Sequence, residues 1–307
     1  MEKNAKIFIA GHSGLLGSSL KRVLESYGFT KILFRKREEL DLTNSNLVAD
    51  FFTSEKPDYV FMTAAKVGGI VVNRDYPADF IYQNLAIETN IIHNAYLAGV
   101  KKLLFFGSSC TFPLDAKQPL KEESIFTGDV ELTSKPYATA KIAGMIMCES
   151  YNKQYGTDFR VVIPNTMYGP SANFDPESSH FLEALMKKFH DAKMNKTKVT
   201  LWGTGAPRRE VIYVDDVTEA CLLVMNNKSN PGRINISTGV DYSIKEFAET
   251  IRKIVGYEGE VEWDTTKPDG AKQKLLDNSK ITALGWKPKT SLEVGLRSTY
   301  DWFVKSQ

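Results

Sequence analysis

The chain has 307 residues, 39 basic against 37 acidic, a formal charge of +2 and 42% hydrophobic content. That balance offers no polyelectrolyte for nucleic acid, and no run nears the roughly 18 apolar residues of a membrane helix. Its three cysteines, Cys110, Cys148 and Cys221, show neither a CxxC nor a metal-ligand pattern, so a reduced, metal-free, cytoplasmic protein without a signal peptide is expected.

Short apolar runs alternate with amphipathic stretches from the first residues onward. Strands are expected over 6–10, 31–34, 59–63, 102–106 and 160–163, and helices over 16–27, 44–54, 78–98 and 136–154. The strands are continuous in Val, Ile, Leu and Phe, as strands covered on both faces read. Strand and helix in alternation predict an α/β fold with a doubly wound parallel sheet of Rossmann type. After Gly169 the texture changes: a polar loop over 171–179, a helix over 181–192 and a strand over 199–202. Segments 211–214 and 234–237 are strand-like and expected to return to the main lobe. Ser243 and Glu246 form a capping-box signature for a helix to 254, and a last helix spans 291–303. The expected division is a dinucleotide-binding domain, 1–169 with 211–237, and a smaller discontinuous α/β substrate lobe, 170–210 with 238–307.

Gly11-His12-Ser13-Gly14-Leu15-Leu16-Gly17 follows the first strand and opens the first helix. Glycines there let the backbone turn tightly and approach a pyrophosphate on the helix N-terminus. About 20 residues on, an NAD enzyme places an acid for the ribose 2′-hydroxyl. This chain has Arg35-Lys36-Arg37 instead. Either this is a solvated basic turn or the cations suit a 2′-phosphate; NADP(H) is the expected cofactor.

Tyr137 and Lys141 stand four apart on one expected helix and share a face. An ammonium at roughly 4 Å, in an effective dielectric near 20, favours the phenolate by about 4 kcal/mol, or about three pKa units. That predicts a phenol titrating near neutrality. Ser108 ends the fourth strand, at the edge where such sheets bind ligands, and can donate to a carbonyl oxygen. Together the three suit a ketone reductase.

The set Gly11, Gly14, Gly17, Ser108, Tyr137 and Lys141 resembles the extended short-chain dehydrogenase/reductases. Longer strings, Ala64-Ala65-Lys66-Val67-Gly68-Gly69, Gly107-Ser108-Ser109-Cys110 and Lys267-Pro268-Asp269-Gly270, resemble the GDP-L-fucose synthase family within them. The resemblance runs from Lys6 to Trp302 and implies a 3,5-epimerase/4-reductase of a GDP-4-keto-6-deoxy-sugar. It implies Cys110 as base and His180 as acid on opposite faces of the ring, with Ser108 and Tyr137 serving both stages. For the cofactor it implies His12, Ser13, Leu15, Leu16, Arg35, Arg37, Asp41, Lys141, Pro164, Met167 and His180 beside the glycines. For the GDP-sugar it implies Lys188, Trp202, Arg209 and Asp269, although Lys187-Lys188 could be a wet helix face. A homodimer through the helices over 78–98 and 136–154 is also implied. Cys148, Cys221, His93 and His190 read as structural or surface groups.

Three departures from that family stand out. Ser13 replaces an arginine, Asn165-Thr166 reverses the usual order, and Glu183 and Lys188 replace a proline and an arginine. They suggest a relative tuned to a neighbouring sugar such as a GDP-4-keto-6-deoxyheptose, with C4 reduction alone as the alternative activity. A nucleotide-sugar 4-epimerase with resident NAD, and a silent NADP(H) sensor, are rival readings. The basic turn disfavours the first, and the Ser108, Tyr137 and Lys141 set disfavours the second.

Overall fold

A computed structural model describes residues 1–175 and 178–307; Pro176 and Glu177, within the polar loop expected over 171–179, lie outside the described residues. The first half alternates as the apolar pattern requires: β1 (Ile7–Ala10), α1 (Leu15–Ser26), β2 (Ile32–Leu33), α2 (Ser45–Glu55) and β3 (Tyr59–Met62). A short α3 (Ile70–Asp75) precedes α4 (Pro77–Leu97), then β4 (Lys102–Phe106), α5 (Lys135–Tyr155) and β5 (Phe159–Pro164). The strand expected over 31–34 shrinks to two residues. Beyond Leu33 the chain leaves the sheet, with Phe34 stacked on His12 and Arg35 paired to Glu55.

The second half adds β6 (Thr166–Tyr168), α6 (Phe181–Asn195), β7 (Val199–Trp202), β8 (Arg208–Arg209), β9 (Val211–Tyr213), α7 (Val214–Asn226) and β10 (Arg233–Ile236). It closes with β11 (Tyr242–Ser243), α8 (Ile244–Val255), β12 (Val261–Asp264), β13 (Gln273–Lys274), α9 (Ser279–Ala283) and α10 (Leu292–Lys305). Ser243 caps α8 in a reciprocal capping box with Glu246, as its sequence signature requires.

Six parallel strands form the main sheet in the order β10-β5-β4-β3-β1-β2. Alternate strand residues face opposite cores. Ile7, Ile9, Phe61, Leu104 and Val162 pack with α1 and α7, while Phe8, Val60, Met62, Phe105 and Val161 pack with α2, α4 and α5. The chain reverses direction across the sheet between β1 and β3, which opens a crevice at the carboxyl ends of those strands. A third core joins α6, α8, β7 and the start of α10.

The segment 211–214 returns to the main lobe, where Ile212 and Val214 pack in the core with Ile7 and Leu104, but its strand ends at Tyr213 and pairs with β6, and Val214 opens α7. Buried Val214, Val217, Cys221 and Val224 give that helix an apolar face. We propose the two-lobe division given above, with one exchange across it: Leu276, Ile281 and Trp286 pack in the cores of the main sheet.

Glu210 ties these parts together. Its fully buried carboxylate accepts from Asn165 Nδ2 (2.5 Å), Ser237 Oγ (2.6 Å), Thr238 Oγ1 (2.9 Å), Gly239 N (3.2 Å) and Leu276 N (3.1 Å), and also from Thr238 N. Removing one acceptor would strand several buried donors at once. We expect Glu210→Ala to lower unfolding free energy by about 3–5 kcal/mol, read from urea denaturation. A loss below about 1 kcal/mol would contradict this account.

Candidate active site

Two loops meet in the crevice, one after β1 and one after β3. Gly11 has φ +92°, and a Cβ on it would meet Ala64 N at 2.7 Å; a Cβ on Gly17 would meet Gly11 O at 2.1 Å. Neither position tolerates a side chain. Gly14 caps α1 without a side-chain hydrogen bond, and the first turn holds no acid. The leading N–H groups of α1 are therefore left for an anion, and this cradle fits a dinucleotide pyrophosphate. Leu15 is half-buried, Leu16 is buried and Ser13 is exposed at the tip. His12 stacks on Phe34 with 4.6 Å between centroids, and burial lowers its pKa.

The basic turn is partly committed. Arg35 Nη2 lies 2.6 Å from Glu55 Oε1, and Nη1 donates to Phe34 O at 2.9 Å. Lys36 and Arg37 are exposed. Asp41 accepts from Thr43 N and Oγ1, bonds that hold its carboxyl below the usual range. Pro164 ends β5, and Met167 packs beside the core shared by α1 and α7.

At the end of β4, Ser108 caps a single 3-10 turn, Ser109–Thr111, and its Oγ accepts from Cys110 N at 3.2 Å. Tyr137 sits in the first turn of α5, its ring edge-on to Phe80 at 6.4 Å. Sequence reasoning expected a phenol brought near neutrality by Lys141. The structure reverses this. Burial, foremost, and the neighbouring Cys110 push Tyr137 up, and its hydrogen bond with Ser108 offsets only part of that. Lys141 Nζ lies 5.9 Å from the Tyr137 ring centroid but 3.0 Å from Glu88 Oε1, in a pair that is almost wholly buried. The spacing argument placed Lys141 on the right face; it had no means of finding the carboxylate on α4.

His180 is the N-cap residue of α6, and burial lowers its pKa. The loop before it docks on the β3 loop, where Gly69 N donates to Ser178 O at 3.3 Å. Ser108, Cys110, Tyr137 and Lys141 thus form one cluster, with His180 held on the adjoining loop.

The four residues assigned to a nucleotide-sugar form a second group along β7 and the 267–271 loop. Trp202 is 70% exposed, with Lys267 Nζ 5.8 Å from its ring. Asp269 accepts from Thr204 N (2.9 Å) and Oγ1 (2.7 Å), and Arg209 Nη1 donates to Ala271 O (2.7 Å). Lys188 Nζ donates to Thr200 O at 3.0 Å, and desolvation lowers its pKa. An exposed indole with cations nearby can stack a base or sugar and neutralise a diphosphate.

Two carboxyls escaped the sequence reading as functional groups. Glu88 lies on the buried face of α4 with Phe80, Asn84 and Ile91. That helical spacing is the signal that could have found it. Glu183 is 3% exposed in the first turn of α6, three residues after His180; burial pushes its pKa up to about 8, and its Oε2 has no partner among the described residues.

The NAD dependent epimerase/dehydratase family matches residues 7–237. The chain is 50% identical to GDP-L-fucose synthase of Escherichia coli K12, over 98% of this chain and 97% of that protein. A GDP-6-OMe-4-keto-L-xylo-heptose reductase from C. jejuni superposes with TM-score 0.93 at 43% identity, covering 100% of this chain and 99% of the other. A GDP-mannoheptose C4 reductase from Campylobacter jejuni with NADP bound superposes with TM-score 0.91 at 44% identity and 99% coverage of both.

Glu183 gives the site a pH signature. Unfolded, its carboxyl titrates near 4.5; folded, it keeps its proton to about 8. Its contribution to stability is therefore full below about pH 4.5 and lost as pH rises through about 8. We expect Glu183→Gln to add about 4 kcal/mol at pH 8 and nothing near pH 4, by urea unfolding at both values. Parallel stability curves for the two proteins would refute it.

Proposed function

The chain belongs to the NAD dependent epimerase/dehydratase family, and on that premise we propose that it is an NADPH-dependent 3,5-epimerase/4-reductase of a GDP-4-keto-6-deoxy-sugar. The observation carrying this reading is the cluster of Ser108, Cys110 and Tyr137 at the carboxyl end of β4. Relatives across the whole chain length and an NADP-bound neighbour support it.

The C4 ketone acidifies only C3 and C5, because the carbanion spreads onto its oxygen. In our reading Cys110 removes the proton from one face, while Ser108 and Tyr137 donate hydrogen bonds to the enolate oxygen. His180 returns a proton from the other face; solvent then takes the proton from Cys110 and restores one to His180, and a second round inverts the other centre. When bound, NADPH supplies the hydride that C4 receives. Tyr137 gives its proton to the C4 oxygen, which leaves an alcohol. A phenol held protonated by burial is the form this step needs. Lys188 and Arg209 take the diphosphate, Trp202 and Asp269 the remainder of the GDP-sugar. Arg35 and Arg37 take the 2′-phosphate.

The reading includes a cytoplasmic homodimer joined through α4 and α5, whose exposed Tyr82, Leu97, Ile146 and Tyr155 support such a face. No helix of the described chain is long and apolar enough to cross a membrane. A second reading, C4 reduction alone on a GDP-4-keto-6-deoxyheptose, is favoured by the two heptose reductases among the structural neighbours.

Heavy water separates the two. Incubated with GDP-4-keto-6-deoxymannose before NADPH is added, an epimerase loads deuterium at C3 and C5. Reduction without that mass gain leaves the C4 reductase. Tyr137→Phe is expected to cut kcat by about 100-fold or more, by NADPH absorbance. Undiminished turnover in that variant would sink both readings.

A further inference from the structure

We propose that Glu88 is a positioning residue: its carboxylate governs how much of the Lys141 charge reaches the Tyr137 hydroxyl. The inference rests on the ketone-reductase reading given above. Three observations carry it. Glu88 is 1% exposed on α4, and Lys141 Nζ lies 3.0 Å from its Oε1, nearer than to the Tyr137 ring. Neither carboxylate oxygen has an aligned hydrogen bond among the described residues, so the ammonium is its ionic partner there. One turn beyond Lys141, α5 carries Gly144, where a Cβ would come within 2.7 Å of Glu88 Oε2 and 2.3 Å of Phe105 Cζ. The helix is cut away where the carboxylate enters.

A buried carboxylate with one ionic partner is a poor device for stability. It is an effective device for dividing a charge. With Glu88 ionised, the Lys141 ammonium is shared, and the phenol keeps its proton until the C4 oxygen needs it. The Glu88 charge is itself among the causes that raise Tyr137, and burial in turn pushes the Glu88 carboxyl up. The other groups facing this pair are few. Cys148 comes from α5, Cys110 from the turn after β4, and Lys66, paired to Asp79, lies over the ring of Phe80.

Removing a negative charge lowers the proton affinity of every neighbour, so the sign of the effect is fixed. The test uses the full chain with Glu88→Gln, Glu88→Met as an uncharged alternative of similar volume, and Glu88→Asp as rescue. Tyrosinate absorbance is titrated as the difference between each chain and its Tyr137→Phe counterpart, which needs no substrate. In the uncharged variants its onset should move down by about one pH unit. The alkaline limb of kcat/KM for NADPH-dependent reduction should follow it, while Glu88→Asp keeps the parent limb at lower kcat. Unmoved onset and limb, with only stability or kcat reduced, would overturn the proposal and leave Glu88 a packing residue. Absence of any reduction by the parent chain would instead strike the assigned reaction, and the tyrosinate titration would still decide Glu88.

Discussion

A single buried carboxylate, Glu210, joins segments that lie far apart in the sequence. It gathers the exits of β5, β10 and β13, which come from three distant parts of the sequence. Directly before it stands Arg209, and directly after it the strand that pairs with β6. The residues that follow β5, β10 and β13 are thereby held in register with one another. Ion and dipole pairing in a low dielectric does this more stringently than apolar contact could, since any shift strands a donor.

The reaction centre follows a similar logic with the opposite outcome. At Glu210 every lone pair is used; at Glu88 most are not. Full satisfaction yields rigidity, and incomplete satisfaction leaves a charge free to act at a distance. Glu183, kept neutral by burial beside His180, is a third variant of the same theme. The three acids sit in one protein with three different electrostatic fates.

Much of the large lobe was legible because strands buried on both faces must be apolar throughout. Residues 102–106 coincide with β4 for that reason. Two-residue strands such as β8 carry no such pattern: Arg208 and Arg209 are placed by backbone pairing and by Asp241, not by burial. The helix α7 was missed although its apolar spacing is plain, because Val211 and its neighbours read first as strand. At the site, Tyr137 and Lys141 were legible from their separation along one helix. Their electrostatics were not, because burial dominates at Tyr137 and the carboxylate paired to Lys141 lies about fifty residues earlier, on the buried stripe of α4. A spacing rule finds which groups share a face and is blind to what the opposite helix presents.

The placement of β10 has a consequence for how the chain is made. It is the outer strand beside β5, yet α6, β7 and β9 are synthesised between them. At ribosomal speeds of about 5–20 residues per second, that interval of about seventy residues lasts several seconds. Throughout it the flank of β5 has no neighbour, and its unpaired amides form an open template. Sheet completion is thus set by translation and not by local propensity. A nascent chain stalled short of Ile236 would expose that flank to chaperones or to other chains.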